Sequence, residues 1–454
     1  MKFDTIIIGG GLSGLTAGIE LSRKGQKCLI VSSGQSALHF FSGSFELCAL
    51  DDDPLKAIRS LDKEHPYSKI GLDNVRSLSA GVKPFFKEVG VLLNGDQERN
   101  HLRLTPLGAQ KRAWLTLDEY VTLPSDGQMP WKKVAVFNVD GFMDFHTSYI
   151  AAALEAKGVQ TVVKGISMPE LEKLRHNPTE MRSTNIAKTL TGDKINTLAA
   201  RINEYASDVD AVFLPAVVGL NGCSDVVRLK EKVDRPLHFI ATLPPSVPGI
   251  RLQMMLKKHF QKLGGTYMLG DSVTGGVLEN GRLRCISTQN HADTEFEADN
   301  FIIATGSFFS KGLVSDIDGV SEPVLGLDVI SLEERPQWYR KNMFEAQPYM
   351  YFGLSTDASF HPVKDGTAVE NLYAVGSVLG ACNPLKEGSG AGIAILSALH
   401  VSSLILNESP VILNDSSVIL NESPVILSDS PVILNDSPVI LNDSSVILNE
   451  VKDL

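Results

Sequence analysis

The chain has 454 residues, 43% of them hydrophobic and 21% charged, which is the balance of a globular protein with two domains or one α/β domain carrying insertions. Its formal net charge is −11, but residues 406–454 hold eight acidic residues and one lysine, so the rest is nearly balanced and offers nucleic acid no electrostatic attraction. The five cysteines include no CxxC pair, so we expect no metal or iron–sulfur site.

The start of the chain lacks the pattern of a secretory signal peptide, because Asp4 interrupts the first apolar run. No stretch of about 18 consecutive apolar residues occurs that could cross a membrane. We therefore expect a cytoplasmic α/β protein.

Residues 4–32 have the pattern of a βαβ unit. The apolar runs at 4–8 and 27–32 predict two buried parallel strands. Between them, residues 12–24 predict a helix that ends at Gly25. The unit has the length of a right-handed crossover between adjacent strands.

Gly9, Gly11 and Gly14 stand at GxGxxG spacing between the first strand and the helix. The first glycine allows a tight turn, the second lets the backbone approach a pyrophosphate, and the third permits close packing of helix on strand. The free N–H groups and the dipole of the helix start favour the phosphate charge. This placement predicts a nucleotide-binding fold.

Ser32 ends the second strand, where dinucleotide-binding folds carry an Asp or Glu for the ribose hydroxyls. A serine lacks the second acceptor oxygen that would clamp both hydroxyls. Loss of a charge-assisted contact weakens binding by about 1.5–3 kcal/mol. The end of the second strand therefore departs from the pattern that the glycines set.

The rest of the chain is less regular until about residue 249. The remaining predicted elements, in chain order, are a helix at 144–158, a strand or loop at 211–218, an amphipathic helix at 249–265, several strands at 266–306 with a hairpin turn at Asn280-Gly281, a strand at 371–376, and a glycine-rich start followed by a helix at 386–405.

Residues 406–447 form six successive heptads of the type LNESPVI. A heptad suggests a coiled coil, but Pro410, Pro424, Pro431 and Pro438 would each break a helix at about 3 kcal/mol. We expect residues 406–454 to be a disordered, low-complexity tail without a part in the chemistry, and short Val-Ile-Leu strands are the alternative.

Three later segments resemble flavoproteins with two dinucleotide-binding folds. FIIATGS (301–307) resembles their strand and ATG turn, NLYAVGSVLGA (371–381) their late strand, and EGSGAGIAILSALH (387–400) their last helix. The resemblance implies a Rossmann-like FAD/NAD(P)-binding fold of the α/β class, with an inserted α+β substrate or cap domain. It also implies that the start of the last helix lies against the flavin pyrimidine. At the position of the family's second cofactor-binding acid, this chain has Ser377.

A narrower resemblance covers essentially residues 1–405. TPLGAQKRAWL (105–115), TLPPSVPGIRLQ (242–253) and AVGSVLGACNP (374–384) are similar to the B subunit of anaerobic glycerol-3-phosphate dehydrogenase. Members of that family also lack the acid at the end of the second strand, so Ser32 fits its pattern. The heptad tail does not.

The family resemblance implies one part of a three-part respiratory complex. A related FAD-containing catalytic subunit, the A subunit, oxidises sn-glycerol 3-phosphate to dihydroxyacetone phosphate. A membrane-attached iron–sulfur subunit, the C subunit, passes electrons to quinone, with fumarate or nitrate as terminal acceptor. The B subunit is associated with FMN, whereas the fold motifs suggest FAD. The chain would then lie at the inner face of the cell membrane through its complex, without a span of its own.

The expected flavin-binding domain is assembled from residues 1–50, 246–310 and 366–405. The cap is expected at 51–245 and 311–365. Candidate cofactor-binding residues lie at the glycine loop, the end of the second strand and the later glycine-rich turns: Gly9, Gly11, Gly14, Ser32, Ser33, Gly34, Gln35, Ser42, Gly43, Thr305, Gly306, Gly376, Ser377, Gly388, Gly390 and Gly392.

Oxidation of a phosphate-bearing alcohol needs a general base and a fixed cation. His39, in the loop that passes the flavin in related folds, is the candidate base, with His238 and His291 eligible. Arg251 and Arg112 are candidates for the substrate phosphate because arginine binds phosphate in a bidentate manner.

Three interpretations remain at this point. The chain takes part in glycerol-3-phosphate oxidation as a flavin-dependent, quinone-linked dehydrogenase subunit, or it is a non-catalytic scaffold or electron relay between the catalytic and iron–sulfur subunits. A flavin oxidoreductase acting on an amine or α-hydroxy acid is the third. The serines in place of both acids leave three states open for the site: weakly held FAD, FMN, or no flavin.

Overall fold

A computed structural model of the protein describes residues 1–177, 179–291 and 293–407. The predicted tail lies outside these residues from position 408 onward. The helices are α1 Leu12–Arg23, α2 Pro54–Arg59, α3 Pro66–Ile70, α4 Leu72–Ala80, α5 Val82–Glu88, α6 Thr147–Glu155, α7 Pro169–Arg175, α8 Ser183–Thr189, α9 Lys194–Ala206, α10 Ser224–Lys232, α11 Val247–Lys262, α12 Pro384–Glu387 and α13 Gly390–Ile405.

The strands are short outside the two larger sheets. They are β1 Lys2–Ile8, β2 Cys28–Ser32, β3 Ser44–Phe45, β4 Leu93–Asn94, β5 His101–Leu104, β6 Gln110–Ala113, β7 Leu115–Leu117, β8 Thr122–Leu123, β9 Lys133–Val139, β10 Gln160–Ile166, β11 Ala211–Pro215, β12 Leu237–Ile240, β13 Thr266–Leu269, β14 Val273–Glu279, β15 Arg282–Thr288, β16 Phe296–Ile303, β17 Val314–Ser315, β18 Val320–Ser321, β19 Val329–Ile330, β20 Gly353–Leu354, β21 Val363–Lys364, β22 Thr367–Ala368 and β23 Leu372–Ala374.

The main sheet has the order β13–β2–β1–β16–β15–β14, with β23 also paired to β16. The strands β13, β2, β1, β16 and β23 are parallel, and Ile7 of β1 pairs with Ile30 on one side and Ile302 on the other. These three side chains are fully buried, as expected of apolar strands in the centre of a parallel sheet. The predicted βαβ unit is therefore confirmed.

Helix α1 contacts both α11 and α13, which come from distant parts of the chain. Leu15 and Ile19 of α1 are fully buried. Gly18 lies against Ile30 of β2 and Phe260 of α11, where a Cβ atom would come within 3.0 Å of either side chain. The predicted helices at 249–265 and 386–405 are present as α11 and α13. Helix α1 therefore packs against helices that lie more than 200 residues later in the sequence.

At the edge of the main sheet, β14 and β15 form the predicted antiparallel hairpin. Asn280 and Gly281 have φ angles of 53° and 76°, the left-handed pair that a two-residue turn of this kind requires. The Asn-Gly signal in the sequence is confirmed.

The region inserted between β2 and α11 contains a second parallel sheet, β10–β9–β11–β12, beside two three-stranded antiparallel sheets, β3–β7–β4 and β6–β5–β8. Val136 of β9 pairs with Val163 of β10 and with Phe213 of β11. The helix predicted at 144–158 is α6, and the segment at 211–218 begins as β11.

Within the described ranges, no helix is both long and apolar enough to cross a membrane. In the same ranges, His, Cys, Asp and Glu side chains do not gather in groups of three that could hold a metal ion.

Candidate functional site

In the glycine loop between β1 and α1, Gly9 and Gly14 pack tightly against backbone atoms, whereas Gly11 has free space beside it. A Cβ atom on Gly9 would lie 2.2 Å from the carbonyl oxygen of Ala304, and one on Gly14 would lie 2.0 Å from the carbonyl oxygen of Gly9. Gly9 also has a φ of +119°, which side chains rarely allow. At Gly11, the residue before α1, the nearest atom to the missing side chain is the Cβ of Ser36 at 3.7 Å. A phosphate can therefore approach the backbone at Gly11.

The turn after β16 lies against this loop. Gly306 has a φ of +84°, and a Cβ on it would be 2.9 Å from Ser310 and 3.6 Å from the hydroxyl oxygen of Ser377. The hydroxyl of Thr305 is buried and has no hydrogen-bond partner in the described part of the chain. Because such a group costs about 1–3 kcal/mol when unpaired, Thr305 is suited to bind a polar atom of a ligand.

A short 3-10 turn after β23, Gly376–Val378, brings Ser377 to the same place. The N–H of Gly376 donates to the hydroxyl of Ser397 in α13 at 2.9 Å. A Cβ on Gly376 would lie 2.4 Å from the hydroxyl oxygen of Ser13 in α1. Ser377 is exposed between two buried neighbours, so its hydroxyl is accessible where α1 and α13 meet.

Three glycines at the start of α13 have different surroundings. Gly388 lies against Ala49, where a Cβ would come within 2.5 Å of the alanine Cβ, and a Cβ on Gly392 would lie 2.1 Å from the hydroxyl of Tyr67. Gly390, the first residue of α13, is partly exposed. The two outer glycines therefore allow close packing, and Gly390 leaves the start of the helix accessible to an electron-rich group.

We refer to the Gly9–Gly14 loop, the Ala304–Gly306 turn, Gly376–Ser377 and the start of α13 together as the cofactor cradle. Its members come from four separate segments and meet at the carboxyl ends of β1, β16 and β23. In open parallel sheets, nucleotide ligands bind at this edge. The open backbone at Gly11, the unpaired Thr305 hydroxyl and the accessible Ser377 fit the phosphate and hydroxyl groups of a flavin nucleotide.

The end of β2 is an open surface next to the cofactor cradle. Ser32 is buried, and its hydroxyl donates to the carbonyl oxygen of Gly34 at 3.0 Å. Ser33 and Gln35 are exposed, and Gly34 has no atom within 4 Å of its missing side chain. A ribose here would meet hydroxyl and amide groups, with no carboxylate among residues 32–35.

His39 lies in the 3-10 turn Ala37–Phe40, beside the start of α11. Its carbonyl oxygen accepts a hydrogen bond from the N–H of Ser246 at 2.8 Å. Burial lowers the pKa of His39 below its usual value, and a hydrogen bond with the Gln253 side chain opposes that shift in part. The imidazole is therefore neutral near pH 7 and can accept a proton.

Ser42 and Gly43 connect His39 to the first small sheet. Gly43 is buried beneath the ring of Tyr120, which a Cβ would approach to 2.5 Å, whereas Ser42 is partly exposed. The Tyr120 hydroxyl is buried and unpaired in the described residues, and burial raises its pKa. Gly43 therefore packs against the inserted region, and Ser42 is the more accessible of the two.

The two candidate arginines lie in ion pairs outside the cofactor cradle. Arg251 of α11 is buried, pairs with the buried carboxylate of Glu119 and donates to the carbonyl oxygen of Gly219 at 3.0 Å. Arg112 of β6 donates to Asp52 at 2.7 Å on the surface. Both assignments to the substrate phosphate stay predictions.

The other two candidate histidines are partnered by residues outside the cofactor cradle. His238 belongs to β12 in the second sheet and packs edge-on against Trp131 and Phe213. Burial lowers its pKa to about 4. His291 pairs with Asp271, at 2.8 Å, beyond the hairpin of the main sheet. Of the three histidines, His39 is the one whose contacts lead to the glycine loop, through Gln253.

Sequence reasoning missed several residues that shape this site. Tyr267 donates its hydroxyl to the carbonyl oxygen of Gly10 at 3.2 Å, and the Gln253 amide lies 3.5 Å from the same oxygen. It also missed the buried pair of His65 and Glu387 behind α13, at 3.1 Å. These contacts join residues that are hundreds of positions apart and carry no local signal. The exception is Glu387, an acid directly before a glycine-rich helix start.

The FAD binding domain family matches residues 4–393, from β1 to the first turn of α13. The chain thus carries a FAD-binding domain, and the predicted Rossmann-like flavoprotein fold and flavin cofactor are confirmed. Among solved structures, 3-ketosteroid delta1-dehydrogenase from Sterolibacterium denitrificans is similar with a TM-score of 0.40 and 10% identity, covering 89% of this chain and 99% of that chain.

Curated relatives extend over nearly the whole chain. The B subunit of anaerobic glycerol-3-phosphate dehydrogenase from Yersinia pestis is 41% identical over 419 residues, which are 90% of this chain and 99% of the relative. The protein of the same name from Haemophilus influenzae is 36% identical and covers 89% of this chain and 100% of the relative. With this identity along almost the full length, the chain belongs to the family of the B subunit of anaerobic glycerol-3-phosphate dehydrogenase.

Proposed function

We propose that the chain is the flavin-binding subunit of a complex that oxidises sn-glycerol 3-phosphate to dihydroxyacetone phosphate and passes the electrons to quinone, with fumarate or nitrate as terminal acceptor. The observation that carries the proposal is the 41% identity to the Yersinia pestis relative over 99% of that protein.

The residues of the cofactor cradle would bind the flavin in distinct ways. The backbone at Gly11 and the start of α1 would hold the phosphate, the hydroxyls of Thr305 and Ser377 the ribityl side, and the start of α13 the pyrimidine. When bound, the flavin supplies a two-electron acceptor. The protein's part is to hold it against the substrate and to exclude competing reactions.

Removal of a hydride from the carbinol carbon also releases the hydroxyl proton, which a nearby base must accept. His39 is our candidate because its imidazole is neutral near pH 7 and is oriented by Gln253. Ser42, partly exposed between His39 and β3, would contact the same ligand.

The proposed complex would contain further subunits beside this chain. We propose two partners for it, a catalytic FAD-containing protein (the A subunit) and a membrane-attached iron–sulfur protein (the C subunit). The chain would then be held at the inner face of the membrane by its complex.

A second candidate function is an electron relay or scaffold between those two partners. The observation that favours it is the pair of serines, Ser32 and Ser377, at the two positions where related flavoproteins have acids. Ser32 also favours FMN over FAD, because it gives the adenosine ribose only a single hydroxyl that already donates to Gly34.

Anaerobic addition of sn-glycerol 3-phosphate to the flavin-loaded chain, alone and with its partners, separates these functions. Bleaching of the flavin band in the isolated chain supports direct oxidation. Bleaching that exceeds the contribution of the partner's own FAD, and that occurs only when this partner is present, supports the relay. If the flavin of this chain stays oxidised in the assembled, active complex, direct oxidation and the relay are both contradicted and the scaffold is supported.

A further inference from the structure

A buried carboxylate lies directly behind the cofactor cradle. Glu387 ends α12, just before Gly388 and the start of α13, and is 7% exposed. Its Oε1 accepts a hydrogen bond from the backbone N–H of Asn383 at 2.8 Å, and its Oε2 accepts one from the Ser389 hydroxyl at 2.8 Å. The Nε2 atom of His65 lies 3.1 Å from the same Oε2.

His65 is an uncharged partner of this carboxylate. The backbone N–H of Tyr67 donates to Nδ1 of His65 at 3.1 Å. Because Nδ1 accepts, the ring proton is on Nε2, which donates to Glu387. All three donors to the carboxylate are therefore neutral.

The titratable groups packed around Glu387 are also uncharged. Burial raises the pKa of Cys48, of Cys382 and of the Tyr67 phenol, so all three remain protonated at neutral pH. Burial acts to raise the pKa of Glu387 as well, but the hydrogen bonds from His65, Asn383 and Ser389 outweigh it and hold this pKa below its usual value. The cluster thus carries one negative charge, on Glu387.

The negative charge of Glu387 is costly in free energy at this buried position. Removing a carboxylate from water carries a penalty of several kcal/mol unless a counter-charge compensates it, and the three donors to Glu387 are neutral. The positive end of the α13 dipole lies beside it and compensates it in part. The same helix start is the part of the cofactor cradle that would stabilise an electron-rich ring. Glu387 and the bound flavin would therefore both lie in the electric field of the α13 dipole.

We propose that the negative charge of Glu387 lowers the reduction potential of the flavin held in the cofactor cradle. The inference rests on the proposed function. A fixed negative charge opposes the gain of electrons by a neighbouring group, and a poorly solvated surrounding screens it little. Glu387 would offset the α13 dipole and keep the flavin ready to give its electrons to the next acceptor.

Two substitutions of opposite charge test this proposal on the flavin-loaded protein at pH 8. Glu387→Gln removes the charge with little change of shape. Asn383→Asp adds a charge in the same cluster, and because Asn383 caps α12 through Lys386 N–H at 3.2 Å, an aspartate keeps the cap. Glu370→Gln, at an exposed pair with Arg282, is the matched control.

The midpoint potential of the flavin is measured in a redox titration of each variant. We expect Glu387→Gln to raise it, Asn383→Asp to lower it and Glu370→Gln to leave it unchanged. A tenfold change in the two-electron reduction equilibrium corresponds to about 30 mV.

Shifts of both cluster variants in the same direction would point to a structural disturbance and overturn the proposal, as would an unchanged potential in Glu387→Gln. If Glu387→Gln does not fold, Asn383→Asp decides alone, with a lower potential in support and an unchanged or higher one against. A parent protein that takes up neither FAD nor FMN would contradict the proposed function instead.

Discussion

The chain contains a mixed main sheet with five parallel strands and a second, all-parallel sheet of four strands, and the carboxyl edges of their parallel strands differ. In the main sheet, β1 lies between β2 and β16, and in the second sheet, β9 lies between β10 and β11. Each strand order changes direction at its central strand, the place where such sheets bind ligands. At β1 the edge is open at Gly11. At β9 and β11 the protein's own side chains fill the edge.

Side chains of the protein occupy the carboxyl edge of the second sheet. A Cβ atom on Gly165 of β10 would lie 2.0 Å from a carboxylate oxygen of Asp140, the residue that follows β9. The carbonyl oxygens of Val218 and Gly219, after β11, accept hydrogen bonds from Arg251 of α11. A parallel sheet whose strand order changes direction is therefore not sufficient for a nucleotide site. The glycine spacing, and the free space for a phosphate that it leaves beside the backbone, are also needed.

The largest expected effect comes from disturbing the tight packing of the glycine loop beside the open edge. Gly14→Ala would place a Cβ 2.0 Å from a backbone oxygen. We expect flavin content to fall to background. The free energy of unfolding should fall by more than the roughly 1–3 kcal/mol of ordinary overpacking, because a backbone atom cannot move aside as a side chain can. Flavin absorbance and urea unfolding measure the two effects.

Gly141→Ala is the matched control in the second sheet. Gly141 follows β9, has a φ of +86°, and a Cβ there would meet only the Arg175 side chain at 3.3 Å. We expect a cost of about 1–2 kcal/mol from the left-handed backbone and unchanged flavin content. Loss of flavin in this variant would break the distinction between the two edges.

The next effect tests what fills the second edge. Arg251→Met leaves the buried Glu119 carboxylate without its partner, so we expect a loss of about 3–5 kcal/mol in the free energy of unfolding. The double variant with Glu119→Gln should recover much of it. If Arg251 instead binds the substrate phosphate, stability would change little and substrate-dependent flavin reduction would be lost.

A smaller effect concerns the stability of the fold at acidic pH. The pKa of His238, in β12, is lowered by burial to about 4, so the unfolded chain, with its histidine near 6.5, binds more protons between these values. The stability from the neutral imidazole is therefore present above about pH 6.5 and lost as the pH falls toward 4.

In His238→Phe, which keeps an aromatic ring against Trp131 and Phe213, this part of the pH dependence should disappear from urea unfolding curves. His176→Phe, at an exposed position of the same region, is the control and should leave the slope unchanged. Equal slopes in the parent protein and His238→Phe would show that the second sheet is not the acid-sensitive part.

The smallest expected effect is that of removing residues 408–454. The described part of the chain reaches Asn407, beyond the end of α13. We expect unchanged flavin content and unchanged substrate-dependent bleaching after truncation at that point. A loss of either would give the heptad tail a part in the chemistry.

The main sheet was predictable because its signals are local. Gly9, Gly11 and Gly14 follow an apolar strand directly, and Asn280-Gly281 alone specifies a hairpin turn. The second sheet was not predicted as such, since β9, β10 and β12 lie in a stretch whose apolar runs do not distinguish strand from helix.

In the site, residues that would act through backbone or small size were proposed from the sequence, because glycine and serine mark turns. Long-range contacts were not, as with Arg251. Its position after a proline-rich turn predicts a phosphate ligand, and the sequence did not show that it pairs with Glu119 in the structure. Glu119 lies 132 residues earlier and carries no signal of its own.

The visible absorbance spectrum of the purified chain, followed by mass analysis of the chromophore released on unfolding, tests the central claim most directly. We predict flavin bands in the parent protein and in Gly141→Ala and their absence in Gly14→Ala, with FMN or FAD recovered near one per chain. A parent protein without flavin bands after incubation with both flavins would contradict the assignment of the cofactor cradle.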